Sequence, residues 1–524
     1  MNVSNLVRIH LRSVVLLFSV VGLLLSTRTL LGAEDACTYI AQEYEINTTW
    51  SGPIVCVTSN INVSNLNVLP GVQVVFAGNY TVRCLGPVRF LGTAAAPIVI
   101  RAASTNTAGW QGFLLDSIAA SSEFEYCVFS GARNSAVRLR NTSASLRNCS
   151  FSNCFGTFGG ALNINAPGAV FSLSNCTFFG NYATNDGGAI WCSVSPGKLV
   201  TVSCSFTGNV ANPSSQARST GGGAICVAGN ALLHTSHFVS NTCRAFTVYA
   251  ANGIYAQGGA VYANANVEII GCEFLDNACV QTAEMNTPDT SYGRGGAFYA
   301  ESGVTSFRNT IFAGNRLSAQ RNQQLRGSAL YLREGDCSMT NVTIVYNVGA
   351  PAIFNEAGDF ALDSSVIYFN HDRVTELVGS ATVNYSIVEG GYVGTSNINY
   401  APVMDSRYRF LVGSPNIDTG DPSPAMNDSG TPSLGAVRCD AGHLGGPLSS
   451  LWNYPPFQPE PTLLRIEMGH IFTWIEETST VPEYAVSVDG PWSVYSGLMI
   501  TNAGRVSVII SPPEPRQFFR LRRN

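Results

Sequence analysis

The chain has 524 residues, of which 45% are hydrophobic and 12% are charged, with a formal net charge of −5 at pH 7. A typical domain carries roughly 25% charged residues, and exposed helix faces need such residues, so this composition argues against a mainly helical fold. The negative net charge also argues against the basic surface that nucleic-acid binding requires, and no nucleic-acid partner is expected.

Residues 1–33 are predicted to be a secretory signal peptide. Arg8 and Arg12 precede an apolar run at 13–25, and Leu31-Gly32-Ala33 fits a cleavage site. The run is shorter than the ~20 residues that span a bilayer, although an uncleaved anchor stays the alternative. No later stretch is apolar enough for a membrane span. We therefore expect a protein that is secreted or held at a cell surface, in which Cys37 and Cys56 can form a disulfide bond.

Two short motifs alternate through the middle of the chain. The first is Gly-Gly-Ala-aliphatic, at 159–162, 187–190, 222–225, 258–261 and 295–298, with degenerate copies at 327–330 and 350–353. The second is an apolar residue followed three positions later by Asn, and its asparagines are Asn181, Asn209, Asn241, Asn277, Asn315, Asn347 and Asn370. Self-similarity at this period predicts a solenoid, and the short alternating runs between the motifs predict strands.

Each motif position has a predicted role in a stacked coil. The apolar residue, usually Phe, should point into the core and stack on its neighbours, while the Asn amides should form a hydrogen-bonded ladder in a turn. The Gly pair permits a positive φ and a close backbone approach. Five cysteines lie two residues before the Phe, namely Cys127, Cys149, Cys176, Cys204 and Cys272. They are expected to be buried thiols that fill the core, with disulfides or a metal site as the alternatives.

The paired GGA and FxxN motifs resemble the repeat of chlamydial polymorphic outer-membrane proteins over residues 127–370. That resemblance implies a surface-exposed, adhesive protein. Residues 67–102 resemble the opening coils of bacterial proteins with the pectin-lyase-like fold. Together these likenesses imply an all-β chain, with a right-handed parallel β-helix and its C-terminal cap over residues 34–447.

Residues 413–447 resemble the closing segment of bacterial surface β-helix proteins of the choice-of-anchor type. This segment contains Asp418, Asp421, Asn427, Asp428 and Asp440. Their oxygen atoms could bind Ca²⁺, which is the one cofactor that the sequence suggests. The alternative is that these residues are ordinary turn formers beside Gly and Pro.

The remaining chain is predicted to hold a linker and a second domain. Residues 448–461 are a Pro-rich linker. Residues 462–524 alternate in the manner of strands and are expected to form a small β-sandwich. This part resembles a terminal β-module of secreted proteins from Verrucomicrobia-like bacteria.

The motifs of catalysis known for the pectin-lyase-like fold are missing from the chain. The best catalytic candidates are His371 as a general base, Asp372 beside it, and Arg373 as a substrate clamp. A short polar run after a strand is more often a turn. The charged residues Asp186, Lys198, Arg294 and Asp336 are interpreted as solvated loop residues.

Two functions follow, and they belong to different classes. The first is adhesion, through binding of a polysaccharide or of a cell-surface or matrix ligand. The insertions at 210–221, 243–257 and 278–294 share one phase of the repeat, so they should project from one side as a binding face. The alternative is a lyase or glycoside hydrolase that acts on acidic polysaccharide.

Overall fold

The computed structural model describes residues 36–116, 121–213, 219–247, 254–283, 291–319, 323–370 and 376–452, together with short strands between residues 465 and 523. The predicted signal peptide lies outside these residues. The chain divides into two compact units, the first ending at Trp452 and the second beginning at Asn453. The first unit is built from parallel strands, and no α-helix occurs among the described residues.

Two long parallel sheets form the body of the first unit. Sheet 1 has 14 strands: Tyr39–Ile40, Ile54–Val57, Gln73–Phe76, Ile98–Ala102, Cys127–Ser130, Ser150–Ser152, Thr177–Phe179, Ser205–Thr207, His237–Val239, Glu273–Leu275, Ile311–Ala313, Thr343–Val345, Val366–Tyr368 and Ile387–Val388. Every neighbour in this series is the next turn of the chain, paired in parallel. The predicted parallel β-helix is therefore confirmed.

Sheet 2 has 24 strands because most coils contribute two. One row holds Tyr44–Glu45, Ile61–Val63, Val82–Cys84, Phe113–Asp116, Val137–Arg140, Leu162–Asn165, Val261–Asn264, Phe298–Ser302, Leu330–Leu332, Ile353–Asn355 and Leu377–Val378. The other row holds Thr48–Trp50, Leu66–Val68, Val88–Leu91, Ser122–Glu125, Ala144–Arg147, Val170–Ser174, Val267–Ile270, Thr305–Arg308, Cys337–Thr340, Phe360–Asp363 and Thr382–Asn384. The long strands Ile190–Val202 and Ile225–His234 join the two rows.

The core holds a column of stacked phenylalanine rings. From Phe129 to Phe312 the successive centroids lie 4.6–5.1 Å apart and the rings are within 9° of parallel. The five predicted core cysteines are all free thiols with 0–1% exposure. Burial is the main cause that raises the pKa of Cys272 to about 12. Buried, protonated thiols of this kind fill space and are poor nucleophiles.

The predicted asparagine ladder is present from Asn181 to Asn370. The side-chain amide of Asn241 donates to Oδ1 of Asn277 at 3.0 Å, and the backbone N–H of Asn241 donates to the same oxygen at 3.0 Å. The same pair of bonds links each rung to the next along the solenoid. The polar atoms of these turns are thereby satisfied inside the core.

The Gly-Gly-Ala turn holds the coils at their closest approach. Gly258 has a φ of +68°, and a Cβ atom on Gly259 would lie 1.9 Å from the carbonyl oxygen of Gly296 in the next coil. Glycine tolerates both the positive φ at the first position and the close backbone contact at the second, which explains why the Gly pair is repeated.

The first coil is fastened by a disulfide bond and a buried carboxylate. Cys37 and Cys56 form the predicted disulfide, with their Cα atoms 5.7 Å apart. Glu45 accepts hydrogen bonds from the indole of Trp50 at 2.9 Å and from the hydroxyl of Tyr39 at 2.8 Å.

The last residues of the first unit lie against the turns that lead from sheet 2 into sheet 1, and His443 contacts Thr343 of sheet 1. We call residues 439–452 the strap. Asn309 donates from its amide to the carbonyl oxygens of His443 and Gly445 at 3.0 and 2.7 Å. The indole of Trp452 donates to the carbonyl of Asn309 at 3.1 Å, and the amide of Asn341 donates to the carbonyl of Asp440 at 3.0 Å. The strap therefore crosses several coils. It contains the 3₁₀ turn Ser449–Leu451, and a second such turn, Pro424–Met426, precedes it.

The second unit contains two antiparallel sheets among its described residues. A four-stranded sheet pairs Arg465–Glu467, Ile471–Ile475, Arg505–Ile509 and Met499–Asn502 in that order. A three-stranded sheet pairs Ser493–Val494, Thr480–Ala485 and Phe518–Arg523. The β-sandwich itself stays a prediction.

Candidate functional site

The candidate catalytic residues His371, Asp372 and Arg373 lie outside the described residues. Their proposed roles stay predictions.

The predicted calcium ligands fall into two groups. Asp418, Asp428 and Asp440 are linked through backbone hydrogen bonds: Asp440 accepts from the N–H of Asp418 at 2.8 Å, and Asp428 accepts from the N–H of Asp440 at 3.1 Å. Asp421 lies apart and accepts from the N–H of Ser423 at 2.8 Å. Each carboxylate fixes a turn, which is the alternative role that the sequence offered.

Burial raises the pKa of two of these aspartates, to about 6 for Asp428 and to about 7 for Asp440, and the nearby carboxylate of Asp418 adds to both shifts. Among the described residues, no group of three or more His, Cys, Asp and Glu side chains is placed to hold a metal ion. Calcium binding stays a prediction that rests on the sequence pattern.

The insertions form two further parallel sheets at one corner of the coils. Sheet 3 holds Phe155–Gly156, Tyr182–Ala183, Val210–Ala211, Thr242–Thr247, Ala278–Ala283 and Arg316–Ala319. Sheet 4 holds Thr220–Gly221, Ile254–Gln257, Ser291–Arg294 and Gln323–Arg326. A small core that includes Cys243, Cys279, Ile254 and Leu317 packs between them. The described parts of the insertions therefore contribute strands to sheets 3 and 4, which we call the arm.

A column of aromatic residues lies where the arm meets sheet 2. Tyr262, Tyr299, Tyr331 and Phe354 stack with centroids 5.2–5.3 Å apart and rings within 7° of parallel. Tyr299 and Tyr331 are 0% exposed, and the guanidinium of Arg294 lies 4.9 Å above the ring of Tyr331. Because its central rings are covered, this column joins the arm to the solenoid and offers little surface to a ligand.

The phenol groups of this column donate to two carboxylates, the half-buried Glu301 and the exposed Glu356. Glu301 accepts from Tyr299 at 2.7 Å and from Tyr262 at 3.4 Å, and it pairs with Arg333. Tyr331 donates to Glu356. Burial raises the pKa of Tyr262 to about 12, so this phenol keeps its proton.

A groove with polar and apolar lining residues runs along sheet 2, at the turn between its two rows of strands. One cleft of ≈ 390 Å³ is lined by Lys198, Asn230, Asn266, Glu268 and Val304, with neighbouring residues. A second cleft of ≈ 440 Å³ continues from Val304 to Asp336, Asp359 and Ser380. The side chains of Asp336 and Asp359 are exposed. The groove therefore offers charges and amides, one coil after another, to a ligand that lies parallel to the solenoid axis.

Sequence reasoning treated Lys198 and Asp336 as isolated loop residues and missed the others. A signal for the groove exists in the repeat itself. The lining residues Lys198, Asn230, Asn266, Val304, Asp336 and Asp359 each lie eight positions before the apolar residue of an FxxN motif. Reading the chain by repeat phase would have placed them in one column.

Comparison with known proteins supports the repeat. The model of the Chlamydia polymorphic membrane protein repeat matches residues 175–193 and 203–228. The crystal structure of pectate lyase Pel9A is similar at 11% identity and a TM-score of 0.26, over 71% of this chain and 88% of that one. No curated protein matches the chain. The strand pairing of the first unit establishes a parallel β-helix, and residues 175–193 and 203–228 within it are similar to that repeat.

Within the part of the chain that the structure describes, none of the helices combines the length and apolar character required to cross a lipid bilayer.

Proposed function

We propose that this protein acts at a bacterial surface, or is secreted from it, and binds an extended polysaccharide along the groove of sheet 2. The observation that carries the proposal is the continuity of the two clefts through Val304, from Lys198 to Ser380. A linear polymer can contact the same position of successive coils, since parallel strands repeat about every 4.8 Å. The surface location is supported by the repeat, which is named for membrane proteins.

The charges of the groove favour a polymer rich in hydroxyl groups over a polyanion. Lys198 and Glu268 lie at one end, and the exposed carboxylates of Asp336 and Asp359 lie at the other. A uniformly acidic polymer would meet like charge at the two aspartates, which disfavours its binding. Carboxylates accept hydrogen bonds from the hydroxyl groups of neutral sugars, and amides both accept and donate them, without this cost.

The proposal is tested by electrophoresis of the mature full chain in gels that contain hydroxyethylcellulose, galactomannan or polygalacturonate. We expect retardation in a neutral polymer. Lys198→Ala and Asp359→Ala should each weaken the apparent affinity by roughly five-fold, the loss of one or two polar contacts. Glu43→Ala, which removes an exposed charge in the first coil, is the matched control and should bind normally. Unchanged mobility of the wild type in both neutral polymers would contradict the proposal.

One observation favours a second candidate function, the hydrolysis or lysis of polysaccharide. Asp336 and Asp359 are register neighbours in one cleft, since Cys337 and Phe360 are paired, and the N–H of Asp359 donates to Asp336 at 3.1 Å. Retaining glycosidases place two carboxyl groups about 5 Å apart. New reducing ends or unsaturated uronate, released by the wild type and not by Asp336→Asn or Asp359→Asn, would establish this activity.

A further inference from the structure

The turn that follows sheet 1 contains one residue with a positive φ in each coil, directly before the ladder asparagine. Small or polar residues occupy this position in five coils: Gly180, Gly208, Ser240, Asp276 and Gly314, with φ between 54° and 66°. In the last two repeats the position holds Tyr346 at 57° and Phe369 at 59°. Bulky side chains rarely adopt this conformation, and such strain is concentrated at functional sites.

The two strained rings stack on the protein surface. Their centroids lie 5.2 Å apart at an interplanar angle of 7°, and Tyr346 is 45% exposed. Tyr368 packs edge-on against Phe369 at 4.9 Å, and Tyr408 lies 6.0 Å from Tyr346 at 40°. We call Tyr346, Tyr368, Phe369 and Tyr408 the aromatic platform.

The fourth ring is presented by a rigid hairpin. Asp405 accepts from the N–H groups of Arg407 and Arg409, both at 2.9 Å, and from the guanidinium of Arg409 at 2.7 Å. Phe410 is buried against Gly442 of the strap. Tyr408 itself has a φ of 62°. The hairpin is thus fixed at its turn and at its base, so the ring is held in place before any ligand arrives.

Polar groups border the platform. Tyr368 donates to Oδ1 of Asn399 at 3.4 Å, and the same oxygen accepts from the N–H of Gly390 at 3.2 Å. Partial burial raises the pKa of Tyr346 and of Tyr368, so both phenols stay protonated at neutral pH. The surface is therefore apolar at its centre and hydrogen-bonding at its border.

We propose that the aromatic platform is a second carbohydrate-binding site, which takes one pyranose unit of a hydroxyl-rich polysaccharide. This proposal rests on the proposed function for its class of ligand. The aromatic platform itself lies at a different corner of the coil from the groove. A sugar offers apolar C–H groups to the rings and hydroxyls to the phenols and Asn399. Rings stacked at 5.2 Å leave no room for a cation between them. Four rings are also too few for a stable protein interface of about 800 Å² per partner.

The repeat supplies test variants that should fold. Tyr346→Gly and Phe369→Gly install the residue found at Gly180, Gly208 and Gly314, so they remove a ring and relieve the backbone at once. Ser240→Gly makes the same backbone change in a coil away from the platform and is the matched control. Melting temperatures at or above that of the wild type would establish that the variants are folded.

The measurement is electrophoresis of the mature full chain in hydroxyethylcellulose and galactomannan gels. We expect Tyr346→Gly and Phe369→Gly to weaken retardation by roughly five-fold or more, the worth of a lost aromatic contact. Ser240→Gly should bind as the wild type does. The platform proposal is overturned if both glycine variants bind normally while Asp359→Ala loses binding, a result that leaves the groove in place. Loss of binding in the two glycine variants, with normal binding by Asp359→Ala, would instead overturn the groove proposal. A wild type that neither polymer retards would overturn both.

Discussion

Glu376 carries a buried carboxyl group beside Asn370, the last amide of the asparagine ladder. The residue is 4% exposed, and its carboxylate oxygens lie near Asn370 and Glu389 without reaching good hydrogen-bond geometry with any described residue. Burial raises the pKa of Glu376 from 4.5 to about 8, and the nearby Glu389 adds to this shift. Glu376 is therefore protonated in the folded protein at neutral pH.

This carboxyl group makes the stability of the last coils depend on pH. The folded state holds a proton that the unfolded chain releases near pH 4.5, so its stabilisation is complete below that value and is lost as the pH rises through about 8. We expect the melting temperature to fall by ~4 °C or more between about pH 5 and pH 9, and Glu376→Gln to flatten that part of the curve. Calorimetry across this range measures the effect.

Asp440 provides the control for the pH measurement. Its pKa is raised to about 7, so it acts in the same direction at lower pH. Asp440→Asn should remove the part of the fall in melting temperature that occurs at lower pH and leave the part that occurs near pH 8. A curve that Glu376→Gln leaves unchanged would show that its carboxyl group is ionised in the folded protein.

The roles of some single residues could be predicted from the sequence, and those of others could not. Asn277 and the equivalent asparagines of the other coils each lie at a fixed distance from an apolar residue, usually Phe. Their place in a ladder of turns therefore followed from the spacing. Glu376 occurs once, after the last motif, and nothing in the local sequence indicates that its carboxyl group is buried. The positive φ at Tyr346 was equally hidden, although its position in the repeat phase matches Gly314.

At the scale of the elements, Tyr299 connects the arm to sheet 2. Its ring is fully buried between those of Tyr262 and Tyr331, and its hydroxyl donates to Glu301. Tyr299→Ala should leave a cavity that costs about 3–5 kcal/mol. We expect faster hydrogen exchange in Ile254–Gln257 and Ser291–Arg294 of sheet 4, with little change in Ser205–Thr207 of sheet 1.

Tyr299→Phe separates packing from hydrogen bonding in this experiment. It keeps the ring and removes one donor to Glu301, so its effect should be only about 1 kcal/mol. Equal hydrogen-exchange rates in sheet 4 for Tyr299→Ala and the wild type would mean that the column of aromatic residues does not stabilise the arm.

The arm also shows which features of the secondary structure could be predicted from the sequence and which could not. The common phase of the insertions predicted that they lie on one side, and their described strands stack in sheets 3 and 4. Their parallel pairing was not predicted, although the motif positions contained a signal for it. Cys243 and Cys279, which are paired, each lie two residues after a ladder asparagine.

At the scale of the whole molecule, the strap ties distant parts of the chain together. Trp452 is 5% exposed, its indole donates to Asn309, and its ring lies edge-on to His443 at 4.9 Å. Trp452→Ala should destabilise the strap by about 3–5 kcal/mol. Proteolysis and hydrogen exchange should then increase in residues 439–452 and in the coils that they cover, around Asn309 and Asn341.

The opening coils provide the internal reference for this experiment. Contacts in a solenoid are made with neighbouring coils, so exchange around Phe129 and Phe151 should not change. Uniform loss of protection along the whole solenoid would contradict a local role for the strap. No sequence pattern predicted this contact, because its partners are 143 residues apart and neither belongs to a repeat motif.

The attachment of Trp452 has a mechanical consequence. The chain enters its second unit at Asn453, directly after a side chain that is hydrogen-bonded to Asn309, which precedes the eleventh of the 14 strands of sheet 1. Tension applied through the second unit therefore reaches the solenoid first at the strap. The hydrogen bonds of the strap bear this load before the last coils beyond Asn341 do. A tether placed at the final coil would instead peel the strands away one at a time.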